Sequence, residues 1–111
     1  MSFQHQGLVF GRWQKLSFFD QMANIGSEVE RAISWRNKDN DLYSRKAAER
    51  VLELLFLTIA DLKNRNRLKE LTRLYEVLVD YFFGQNQYSS SDLLWQKYFY
   101  AFNYAARINI R

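Results

Sequence analysis

The sequence predicts an all-α fold, an antiparallel up-down-up-down four-helix bundle with an irregular N-terminal arm. Three observations carry this. The chain has no proline and only four glycines, at positions 7, 11, 26 and 84. Such scarcity of helix breakers suits long helices. Apolar residues recur at steps of three and four through four segments, which is the period of a helix face. The 111 residues suffice for one core and not for two. The expected division is an arm over 1–13 and a bundle over 14–111, with helices at about 17–36, 41–63, 66–83 and 91–107.

The first predicted helix begins at a capping box, Ser17-Phe18-Phe19-Asp20, with a hydroxyl at the cap and a carboxylate three residues on. Phe18, Met22, Ile25, Val29 and Ala32 then form one stripe. Gly26 inside this helix should cost up to about 1 kcal/mol relative to alanine, a loss that close approach of a neighbouring helix would offset. After the polar turn 37–41, Asp41 is expected to cap the second helix. Its apolar face is Ala48, Val51, Leu52, Leu55, Phe56, Ile59 and Leu62.

Asn64-Arg65-Asn66 connects to a third helix marked by Leu68, Leu71, Tyr75, Leu78 and Phe82, which Gly84 should stop in the left-handed conformation. Ser91 or a neighbouring serine caps the fourth. That helix is apolar nearly all round: Leu94, Tyr98, Ala101 and Ala105 make one stripe, Trp95, Phe99, Phe102 and Ala106 the next. Tyr100 and Tyr104 lie on a third side. A helix of this kind is buried on more than one side. Aromatics make up 17% of the chain. Trp95, Phe99, Tyr100 and Tyr104 are therefore expected at an interface between copies of the chain. The arm is expected to pack on its own bundle or on a neighbour, through Leu8, Val9, Phe10 and Trp13.

The residues offer little for catalysis. His5 is the only histidine and there is no cysteine, so disulfides and thiolate metal sites are excluded. Glu28, Glu49 and Glu53 could form a carboxylate cluster between helices, but the Glu-x-x-His pairs of di-metal bundles are missing. The alternative is a salt-bridge set in which Arg31 and Arg50 meet these acids. No Gly-rich phosphate loop and no G-x-S-x-G elbow occur. The expectation is a protein that is not an enzyme and needs no cofactor or metal. No apolar stretch approaches membrane-spanning length, and the first residues do not read as a signal peptide, so the expected location is cytoplasmic.

Charge placement says more. The net charge is +4. In an up-down-up-down bundle the first helix start, the second-to-third turn and the fourth helix end share one pole. That pole collects Arg12, Lys15, Lys63, Arg65, Arg67, Lys69, Arg73, Arg107 and Arg111 against only Asp20, Asp61 and Glu70. The opposite end balances Arg36, Lys38, Arg45 and Lys46 against Asp39, Asp41, Asp80 and Asp92. One reading is a docking surface for the phosphates of RNA or DNA. The other is a solvated end with ordinary helix-dipole complementarity, in which Arg65 and Arg67 at a helix N-terminus are out of place.

The segment Ala23-Asn24-Ile25-Gly26-Ser27-Glu28-Val29-Glu30-Arg31 resembles a stretch of the 23S rRNA intervening-sequence proteins and the related accessory variability determinant (Avd) proteins of diversity-generating retroelements. The former carry an Ala-x-Asn-Ile-Ala-Glu-Gly-like core followed by arginine. Asn24-Ile25, the small Gly26, an acid and Arg31 are similar here, at shifted spacing. The likeness spans roughly ten residues. It implies a homo-oligomeric bundle, pentameric in the known cases, and for Avd-like proteins a reverse transcriptase and nucleic acid as partners. This chain has no long basic tail. The functional expectation is thus a homo-oligomer binding nucleic acid, or an enzyme that works on it, through the basic pole. The alternative is a structural or protein-interaction module docking through the aromatic fourth helix.

Overall fold

A computed structural model of the protein describes residues 10–108, which are all-helical with no strand among them. A short helix α1 (Phe10–Gln14) precedes four long ones, α2 (Phe18–Asn37), α3 (Asp41–Ala60), α4 (Leu68–Phe83) and α5 (Asp92–Ile108). A 3-10 segment, Leu62–Arg67, joins α3 to α4.

Local chemistry sets the helix ends. Ser17 caps α2 as the sequence predicts, its Oγ accepting the Asp20 N–H at 3.1 Å. The helix closes in a Schellman turn: Asp39 takes a left-handed φ of 61°, its N–H donates to Arg36 O, and the Asn40 N–H donates to Trp35 O. That turn moves the next cap by one residue. Asn40, not Asp41, caps α3, its Oδ1 accepting the Tyr43 N–H at 3.0 Å. Helix α3 stops at Ala60 rather than near Lys63, because Asp61 leaves helical geometry. Its carboxylate accepts the Lys63 N–H instead. Gly84 is not left-handed; its φ of −105° lies elsewhere, and Asn86 and Ser89 supply the positive φ angles of the α4–α5 loop. Space around the glycine is tight, since a Cβ there would stand 3.0 Å from Asp80 O. The Asp80 carboxylate pins this loop by accepting the Gln87 and Tyr88 N–H groups. Ser91 Oγ accepts the Leu94 N–H at the start of α5.

Helix α2 is the centre of the packing, against α3 on one side and α5 on the other, and α3 also packs on α4. The predicted stripe Phe18, Met22, Ile25, Val29 and Ala32 is buried throughout. On α3 the buried face is Ala48, Val51, Leu52 and Leu55, joined by Leu54 and Thr58. Phe56 and Leu62, expected inside, are exposed; Leu62 lies beyond the end of the helix and so off its face. Helix α4 buries Leu71, Leu74 and Leu78 and leaves Leu68 outside. Gly26 does permit close approach: a Cβ built on it would lie 2.7 Å from Phe99 Cβ on α5.

A buried polar network holds α1 against the corner between α3 and α4. Trp13 Nε1 donates to Thr58 Oγ1 at 3.0 Å. Gln21 Nε2 donates to Trp13 O and to Asp61 Oδ2, and Asn64 Nδ2 donates to Gln21 Oε1 and Thr58 O. Residues 10–13 are therefore part of the folded unit rather than an irregular arm, and Trp13, 3% exposed, docks on its own chain. Leu8 and Val9 lie outside the described residues. Phe18 meets Phe102 edge-on at 5.8 Å, which brings the latter half of α5 to this same end. At the other end Ser44 Oγ donates to Ala32 O, and Arg36 reaches both Asp92 at the start of α5 and Tyr81 late in α4.

Asp61 gives the network a pH dependence. Burial pushes its carboxyl upward. Hydrogen bonds from the Lys63 ammonium, Gln21 and the Lys63 backbone, with the Lys63 charge, outweigh this and leave the group below its ordinary value. A depressed folded value stabilises the fold above the unfolded one, near pH 4, and is lost as pH falls through the folded one. Thermal melts between about pH 5 and pH 2 should show wild type losing more stability than Asp61→Asn. Parallel curves would contradict this.

Candidate partner-binding pole

The pole is assembled from the α1–α2 turn, the 3-10 segment, the first turn of α4 and the last of α5. The contacts above place the first three together. Ring packing of Phe18 and Phe19 on Phe102 brings in α5, five residues before Arg107.

The predicted cations do not all stand alike. Arg12, Lys15, Arg65, Lys69 and Arg107 are exposed and make no ion pair among the described residues. Lys63 is committed internally: its ammonium donates to Asp61 Oδ2 at 2.5 Å and to Gln14 O at 3.0 Å. Arg67 stacks 4.0 Å above the Phe18 ring and approaches Glu70 at 4.0 Å, half-exposed at the rim. Arg73 leaves the pole. Its guanidinium lies 5.2 Å from the ring of Tyr88, on the loop that follows the far end of α4. The reason is reach, since a long side chain in mid-helix can turn toward either end and takes the ring. Arg111 lies outside the described residues, as does His5.

The expected self-association set divides in two. Trp95 and Phe99 are buried in the chain's own core, against Tyr81, Tyr98 and Phe102, and so do not present a surface. This corrects the expectation that all four rings face a partner. The physical reason is that α2, thinned by Gly26, draws that side of α5 inward. Tyr100 and Tyr104 face out, 63% and 56% exposed, on a stripe with Leu93, Lys97 and Ile108.

The glutamates do not cluster. Glu28 faces Arg31 at 3.6 Å and Arg50 at 3.5 Å, the salt-bridge alternative, while Glu49 pairs with Arg45 on the surface. Among the described residues no three His, Cys, Asp or Glu side chains come together as a metal site. Burial pushes the Tyr98 phenol up to about 12, with the Glu70 charge adding to it. Burial and the hydrogen bond to Asp92 also raise Tyr81, against the opposing pull of Arg36. Both phenols stay protonated at neutral pH.

The network of Gln21, Asn64, Thr58 and Asp61 is what sequence reasoning missed. A signal existed. Gln21 sits three residues after Phe18 and four before Ile25, on the buried stripe, where a polar side chain needs partners.

No helix among the described residues is long and apolar enough to cross a membrane. Comparison with protein-family models, with curated proteins and with solved structures finds no match.

Proposed function

We propose that this protein is a non-enzymatic, cytoplasmic, homo-oligomeric antiparallel four-helix bundle. Its basic pole binds nucleic acid or an enzyme acting on nucleic acid, such as a reverse transcriptase. The bundle topology is supported by hydrogen bonds that join α2 to both ends of α3 and to the start of α5, and by the packing of Phe18 on Phe102 toward the end of α5. The observation that carries the binding reading is the set Arg12, Lys15, Arg65, Lys69 and Arg107. These are five exposed cations with no ion pair among the described residues, carried by separate elements that the proposed bundle gathers at one end.

Phosphates held by five such side chains release about as many counterions, so binding should be strongly salt-dependent. An electrophoretic mobility shift with a structured RNA should show a retarded complex at about 50 mM salt. Affinity should fall about a hundredfold or more by about 200 mM. Absence of a complex at low salt, or a salt-insensitive one, would contradict the reading.

A second reading is favoured by α5. The exposed Tyr100 and Tyr104 with Leu93 and Ile108 suit an interface between copies, which the first reading also uses, or a protein partner of an interaction module with no nucleic-acid role. A chain that retards no RNA at any salt concentration leaves this second reading standing alone.

A further inference from the structure

A groove of about 430 Å³ runs between α1, α2 and α3. Its walls carry three arginines, Arg12, Arg31 and Arg50, from three different helices, and a single carboxylate, Glu28. Among the described residues that line it, three guanidiniums stand against one carboxylate, an excess of two positive charges in the lining; the buried carboxylate of Glu53, one turn along α3 from Arg50, lies outside it. The pairing is also loose. Arg31 Nη1 stands 3.6 Å from one Glu28 oxygen and Arg50 Nη1 3.5 Å from the other, both beyond good hydrogen-bond length. Glu28 Oε2 and Arg50 Nε are buried, and neither has a hydrogen-bond partner among the described residues. A buried guanidinium N–H left without an acceptor is costly, and a ligand that accepts from it removes the cost.

The complement of such a groove is a compact dianion with several acceptor oxygens. A phosphate monoester carries about −1.5 to −2 charges at neutral pH and three acceptors, against the excess of two cations here. Guanidinium forks match its geometry, and partial exclusion of water beside Leu54 strengthens each contact. We propose that this groove is a binding site for a phosphate monoester, held by Arg12, Arg31 and Arg50. The group is either that of a free nucleotide or the terminal phosphate of a nucleic-acid strand. The site shares only Arg12 with the basic pole, so it stands or falls separately from that reading.

Calorimetric titration of the full chain at fixed ionic strength tests this. The probes are inorganic phosphate, adenosine monophosphate, and one oligonucleotide with and without a 5′-phosphate. One site per chain is expected for the phosphorylated probes. Arg31→Gln should weaken it about tenfold, the loss of one charge-assisted hydrogen bond. The Arg31 side chain is 58% exposed, so the fold should tolerate the change. Glu28→Gln should tighten binding by removing the competing carboxylate. Lys46→Gln, exposed on α3 outside the groove and the pole, should leave adenosine monophosphate binding unchanged. A 5′-phosphorylated strand that outcompetes both the nucleotide and its 5′-hydroxyl counterpart supports a strand end as the ligand. Equal binding of strand and nucleotide supports the free nucleotide. No heat with any phosphorylated probe at millimolar concentration, or an Arg31→Gln affinity equal to wild type, would overturn the proposal.

Discussion

Replacing Trp13 by alanine should lower the stability of the domain by about 3–5 kcal/mol, the range for emptying an aromatic site in a packed core. The side chain is almost fully enclosed, and its indole N–H is the donor to Thr58 Oγ1. Its loss leaves a cavity between α1 and α3 and strips the Thr58 hydroxyl of one partner. The change also frees the backbone turn whose carbonyl accepts from Gln21. Single domains of this size hold only about 5–15 kcal/mol in total, so about a fifth or more of the stability goes. Urea denaturation followed by circular dichroism reads this as a shifted midpoint. Trp13→Phe separates the two contributions, since it keeps most of the volume and loses the hydrogen bond, at about 1 kcal/mol. A Trp13→Ala variant within about 0.5 kcal/mol of wild type would mean that α1 is not part of the core.

Gly26→Ala should destabilise, against the usual direction for a helix interior. Alanine is favoured over glycine there by about 1 kcal/mol. At this position the new methyl would stand 2.7 Å from Phe99 Cβ and 3.0 Å from two of its ring carbons. The nearest atom is at the root of the side chain, so rotation of the ring does not clear it and α5 itself must move. Overpacking of this kind costs about 1–3 kcal/mol, which outweighs the propensity gain. Gly26→Leu should be worse. Because the contact is specific to α2 and α5, the loss should appear with near-ultraviolet changes at Trp95, which packs beside Phe99. Stabilisation by Gly26→Ala would contradict the close approach.

These two positions differ in how well the sequence announced them. Gly26 interrupts a strong helical period, so a close neighbour was expected from it, and the α2 stripe and the Ser17 and Ser91 caps are equally plain. Trp13 precedes any long periodic segment, and nothing local says that five residues will form a helix and dock. Caps miss by one residue where similar side chains adjoin. Asn40 and Asp41 can both accept a backbone N–H, and the left-handed Asp39 selects between them. Gly84 sits in a tight space beside Asp80 and not at a left-handed φ, and only the fold shows this. Helix α5 hid its inward side for a physical reason: large rings stand on several of its sides, so residue type alone does not choose which of them α2 buries. The choice of Trp95 and Phe99 for the core came from α2.

The pole followed the same pattern. Which end a cation belongs to could be counted from helix order for those near a helix end, but not for Arg73 in mid-helix. What each charge already touches could not, because Asp61, Phe18 and Tyr88 are far in sequence or turn unpredictably toward their partners. The fold thereby reduces the expected surface to a smaller set, with Lys63 serving the buried network and Arg73 engaged elsewhere.

The most direct test of the central claim is the salt dependence of RNA affinity, compared between wild type and the triple variant Arg65→Gln, Lys69→Gln, Arg107→Gln. Each phosphate contact contributes about 0.7 to 0.9 to the slope of log K against log salt. The slope should therefore become shallower by about two to three units in the variant, with the melting temperature held. An unchanged slope in a folded variant would show that the pole is not where nucleic acid binds.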